Sequence, residues 1–184
     1  GKQNDRVCEY TLSIGFDVSS TVTLVDCASV SEESKPDELE FNPDGTKMFV
    51  MGESGDDVNE YKLSTGFDVS TATFVDSFSV NSEETVPTGL AFTYDGTKMF
   101  VVGWTGEDVN EYKLSTGFDV STATFVDSFS ITDQDDEPSS LTFSSDGSKM
   151  FLLGRENNKV YEYSLTCYYG VINCMDPTSD KDDV

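Results

Sequence analysis

Histidine is absent from this sequence, and basic side chains are scarce: 11 Lys and Arg stand against 35 Asp and Glu, for a formal charge of -24. Without an imidazole there is no Ser-His-Asp triad, no Cys-His pair and no histidine-held metal. So acidic a chain repels nucleic acid and anionic lipid, both of which are bound by neutralising phosphate with Lys and Arg. No apolar run approaches the roughly 20 residues of a membrane-spanning helix, so membrane insertion is not expected. Asn-x-Ser/Thr sequons are missing, which excludes classical N-glycosylation. No window shows the i, i+3, i+4, i+7 apolar spacing of a long amphipathic helix, and the chain reads as all-β.

Four cysteines are present, Cys8, Cys27, Cys167 and Cys174, all near the two ends. An even set suits disulfides in an oxidising compartment, although four cysteines allow three connectivities. Local staples, Cys8 with Cys27 and Cys167 with Cys174, are the preferred reading. A zinc site of four thiolates lacks its usual CxxC pairs. Together the acidity and the cysteines place the protein outside the cell or at its surface.

What fills the sequence is repetition. Pro36, Pro87 and Pro138 stand 51 residues apart, as do Phe41, Phe92 and Phe143, the pairs Asp44-Gly45, Asp95-Gly96 and Asp146-Gly147, and Tyr61, Tyr112 and Tyr163. A period of this size marks a stacked-module fold in which each unit hides its apolar faces against the next. In the middle copy, Pro87 to Phe92 predicts a first strand, Asp95-Gly96 a tight turn, and Lys98 to Gly103 a second strand. Val109 to Leu114 predicts a third, and Ala123 to Ile131 a fourth. The second strand is apolar on both faces, as in Met99-Phe100-Val101-Val102, so it must be covered on both. Met48, Met99 and Met150 are core positions on this reading. Asp68 and Asp119 read as turn formers through side-chain to backbone bonds.

The run Pro87-Thr88-Gly89-Leu90-Ala91-Phe92, then Asp95-Gly96-Thr97-Lys98-Met99-Phe100-Val101-Val102-Gly103, then Asp108-Val109-Asn110-Glu111-Tyr112, resembles the β-propeller repeats of the YVTN and WD40-like classes. The likeness implies tandem four-stranded antiparallel blades, and it leaves function open because propellers host many. Domain organisation follows: one β-repeat domain over 1–175, with a half-blade at 7–30, blades at 36–80, 87–131 and 138–175, then an acidic tail at 176–184. About four sheets with incomplete end blades result, too few strands for a ring to be expected within one chain.

Residues 57–79 are identical to residues 108–130, which argues against the broken symmetry an active site needs. Function is therefore sought where the copies differ. After the second strand stand Glu53, Trp104 and Arg155 in register, with the lone Trp104 suited to stacking on a sugar or anchoring a subunit contact. Before the last blade, Asp133, Asp135, Asp136 and Glu137 offer hard oxygen ligands for Ca²⁺, without the Asp-x-Asp-x-Asp-Gly loop of an EF-hand. No other cofactor is expected. The expected function is a non-enzymatic, secreted structural protein, a subunit of an extracellular filament or surface appendage that forms homo-oligomers or polymers through its end blades. Two alternatives stand beside it: a glycan- or surface-binding propeller module, and a carboxylate-dependent propeller hydrolase. The last would show one asymmetric cluster of Asp or Glu in a cleft.

Overall fold

The computed structural model describes residues 5–165. Among these residues, thirteen strands form four antiparallel sheets. A hairpin of β1 (Arg6–Leu12) and β2 (Val22–Ser29) comes first. Blade 1 follows with β3 (Pro36–Phe41), β4 (Lys47–Gly52), β5 (Asp57–Leu63) and β6 (Ala72–Ser79), in that spatial order. Blade 2 repeats it with β7 (Pro87–Phe92), β8 (Lys98–Gly103), β9 (Asp108–Leu114) and β10 (Ala123–Ser130). Blade 3 contributes β11 (Pro138–Phe143), β12 (Lys149–Gly154) and β13 (Lys159–Ser164). The remainder of the expected 138–175 blade and the 176–184 tail lie outside the described residues.

Local chemistry explains the repeat. Each β3–β4 type turn needs a left-handed residue, which glycine supplies without steric cost: Gly45 sits at φ 70° and Gly96 at φ 68°. A Cβ at Gly45 would also fall 2.4 Å from the ring of Phe67, which folds back over the turn. Between the third and fourth strands a short 3-10 turn forms at Val69–Thr71 and again at Val120–Thr122. Asp68 organises the first by accepting from the Ser70 amide at 3.1 Å.

The sheets stack face to face, so each second strand is covered on both sides. Met48 and Val50 of β4 face the hairpin, while Phe49 and Met51 face blade 2. Blade 2 treats Val101 and Phe100 the same way, the latter against Leu141 and Leu152 of blade 3. Each such side chain contributes about 1.5–3 kcal/mol by leaving water. Met48, Met99 and Met150 are all buried, as their register predicts. The first strands β3, β7 and β11 lie side by side along the inner end of the stack, in propeller-like fashion.

Candidate functional site

Symmetry breaks on the inner strand. In register, β3 reads Pro-Asp-Glu-Leu-Glu-Phe, β7 Pro-Thr-Gly-Leu-Ala-Phe and β11 Pro-Ser-Ser-Leu-Thr-Phe. Three acidic residues, Asp37, Glu38 and Glu40, thus occupy positions that are small and uncharged in the other two copies. Glu38 pairs across to Met51 and Glu40 to Phe49, so both point toward blade 2, the face those two residues share. Residues two apart on a strand stand about 7 Å apart along it, so the two side chains lie next to each other on that face.

Their electrostatics are unusual for surface acids. Partial burial pushes the Glu40 carboxyl above its ordinary range, and the neighbouring Glu38 charge adds to the effect. Burial likewise raises Glu38, with Asp37 contributing repulsion, against the opposing hydrogen bond from the Leu39 amide at 3.2 Å. Each carboxyl thus binds its proton more tightly than an exposed glutamate does.

The two inner seams differ accordingly. Between blades 2 and 3, the Pro138 carbonyl accepts from Thr88 Oγ1 at 2.6 Å and from Trp104 Nε1 at 3.0 Å. Gly89 lets β11 approach so closely that a Cβ there would lie 2.9 Å from Ser140 Cα. Between blades 1 and 2, Asp37 and Glu53 stand at the positions of Thr88 and Trp104. Side chains of Glu38 and Glu40 stand where Gly89 and Ala91 make room.

Of the residues singled out in the sequence, Trp104 and Arg155 are brought together, with the guanidinium carbon 5.0 Å from the indole centroid. Arg155 also meets Glu137 at 3.7 Å, while Glu53 lies on the other seam, paired to Lys35 at 3.3 Å. Cys8 and Cys27 form a disulfide between paired positions of β1 and β2; Cys167 and Cys174 lie outside the described residues. Asp133, Asp135, Asp136 and Glu137 are not gathered around one point, and no group of three metal-ligating side chains occurs among the described residues. The buried Asp135 carboxylate turns instead to backbone, accepting from the amides of Glu137, Glu156 and Asn157 at 3.0, 3.2 and 2.9 Å. Glu33 and Glu84 do the same in blades 1 and 2, so position 135 is a clamp shared by all three copies.

Sequence reasoning passed over Asp37, Glu38 and Glu40. The signal was present in the 51-residue register, where Glu-Leu-Glu aligns with Gly-Leu-Ala and Ser-Leu-Thr. The identity of segments 57–79 and 108–130 masks it. Those segments form the outer strands, far from the inner ends where the copies diverge.

No protein-family model and no curated protein matches the chain. Solved structures do match. One is a candidate 6-phosphogluconolactonase from Bacteroides fragilis, at TM-score 0.64 and 15% identity, covering 100% of this chain and 50% of that one. Another is the periplasmic gluconolactonase of Pseudomonas aeruginosa, at TM-score 0.57 and 14% identity, covering 95% and 53%. A third is the β-propeller domain of Swd1 from Myceliophteria thermophila, at 0.55 and 11%, covering 78% and 42%. The chain thus has propeller-like blades and spans about half the length of these neighbours. Two expectations are corrected here. The filament-subunit reading and the non-enzymatic reading both give way, because the neighbours with a named activity include several lactonases, and β3 carries an acidic cluster that the other two copies lack.

Proposed function

We propose that this chain supplies blades of a propeller hydrolase that opens sugar lactones, with Glu38 and Glu40 as its acid–base pair. The observation that carries this reading is that two half-buried carboxyls with raised proton affinity, Glu38 and Glu40, stand at one inner strand where the other copies have Gly89/Ala91 and Ser140/Thr142. The names of the lactonase neighbours support it. In the reaction the ionised carboxylate takes a proton from water as its oxygen attacks the lactone carbonyl. The protonated partner then gives its proton to the departing ring oxygen as the C–O bond breaks. Strand β3 has no basic residue to receive a phosphate, and its three acids repel one, so an uncharged lactone is favoured over a phosphorylated one. The finer likeness to YVTN-type repeats and an extracytoplasmic location belong to the same proposal; the Cys8–Cys27 bridge supports the latter.

Glucono-δ-lactone opening followed in a pH-stat tests the reading. The unmodified chain is expected to accelerate hydrolysis above buffer, and Glu38→Gln or Glu40→Gln to lower that acceleration about 100-fold. Absence of protein-dependent hydrolysis, or full activity in the double variant, overturns it.

A further inference from the structure

Successive sheets meet through one repeated contact. Glu60 on β5 accepts from the Val120 amide of blade 2 at 3.0 Å. Lys47 holds Glu60 at 2.6 Å and donates to the Phe118 carbonyl at 2.5 Å. One sheet earlier, Glu9 on β1 accepts from the Val69 amide at 3.2 Å. The receiving turn is Phe-Asp-Val both times, with the phenylalanine in the left-handed region, Phe67 at φ 61° and Phe118 at φ 58°. Its valine is seated in the seam: Val69 is 3% exposed and Val120 0%.

Both end faces carry the same parts without a partner among the described residues. The hairpin turn Phe16-Asp17-Val18 has the same backbone, with Phe16 at φ 59° and Asp17 accepting from the Ser19 amide at 2.9 Å. Yet Val18 is 84% exposed, and Tyr10, in register with the buried Tyr61 and Tyr112, is open too. On the opposite end, Lys149 pairs with Glu162 in the register of Lys47 and Glu60, with both side chains partly in solvent. Leu153 and Val160 are 46% and 58% exposed there, whereas their equivalents Met51, Val58, Val102 and Val109 are all at 0%.

We propose that these faces are complementary, and that a second copy of the chain seats its Phe16–Ser20 turn on the Leu153, Val160 and Lys149–Glu162 face of the first, reciprocally, closing a ring of two. The occupant is argued from the chain itself, since the same residue set already makes this contact twice within it. Two copies also match the length of the propellers that one copy half covers, and give eight sheets, inside the four to eight that rings contain. Head-to-tail contacts close when the rotation permits. The inference stands apart from the hydrolase reading, because it rests on the end faces alone.

Sedimentation of the unmodified chain at tens of micromolar tests it. A species of about 40 kDa is expected, twice the 20.2 kDa of one chain. Val18→Asp and Val160→Asp should each give monomers, since each spoils both contacts of the ring. Mixed together they retain one intact contact and should recover a 40 kDa species, with circular dichroism verifying that each variant is folded. A monomeric unmodified chain, as when residues 166–184 cover the face themselves, overturns the proposal. So do open-ended polymers, a dimer that resists both substitutions, or a mixture of folded variants that stays monomeric.

Discussion

At Glu38 and Glu40 the protein holds two carboxyls that would be more comfortable apart. Folding raises both above their ordinary value of 4.5, so the native state binds their protons more tightly than the unfolded chain does. Between that value and the raised ones, stability falls as pH rises. Glu38→Gln and Glu40→Gln should therefore raise the melting temperature at pH 7 by about 1–3 °C. The gain should vanish near pH 3.5, where the native glutamates are already protonated. A thermal scan at the two pH values checks this, and a loss of stability at pH 7 would show the pair to be structural. Legibility at this scale was uneven. Asp68 announced its turn because a short polar side chain bonds its own backbone. Glu33, Glu84 and Asp135 did not announce their clamps, since besides an amide two residues on they bind two amides of a loop 21 or 22 residues onward, which only folding brings to them.

Among the elements, the first hairpin depends most on a covalent bond. It has no first or second strand of its own, and much of its outer surface is apolar and exposed, including Leu24 and Val25. The bridge closes a 19-residue separation between directly paired positions, a constraint worth about 3 kcal/mol. Reduction should therefore strip amide-exchange protection from residues 6–29 while β8 and β9 keep theirs; equal loss in all sheets would mean that the hairpin unfolds only with the whole. Strands β7 and β8 were predicted residue for residue from Pro87, Asp95-Gly96 and Gly103, where turn chemistry fixes each end. Which sheet face the glutamates of β3 take was not legible, because that depends on pairing register with Phe49 and Met51 rather than on β3 alone.

For the molecule as a whole, a charge of -24 acts on every seam at once. Raising sodium chloride from about 10 mM to about 0.5 M shortens the screening length several-fold, so the melting temperature should climb with salt. An unchanged midpoint would mean that local pairs such as Lys47–Glu60 already neutralise the repulsion where it matters. Blade architecture was visible in the 51-residue period from the start, whereas the functional reading was not, because identity between outer strands conceals difference between inner ones. That identity also bears on how the chain finds its fold. Strands β5 and β6 match β9 and β10 letter for letter, so either pair can dock on β4 with the same register, and sequence cannot choose between them. Connectivity chooses: four residues separate Gly52 from Asp57, against 55 from Asp108. The shorter closure is favoured by about 2 kcal/mol of chain entropy. A chain cut between Gly52 and Asp57 would forfeit that bias and refold into two competing topologies.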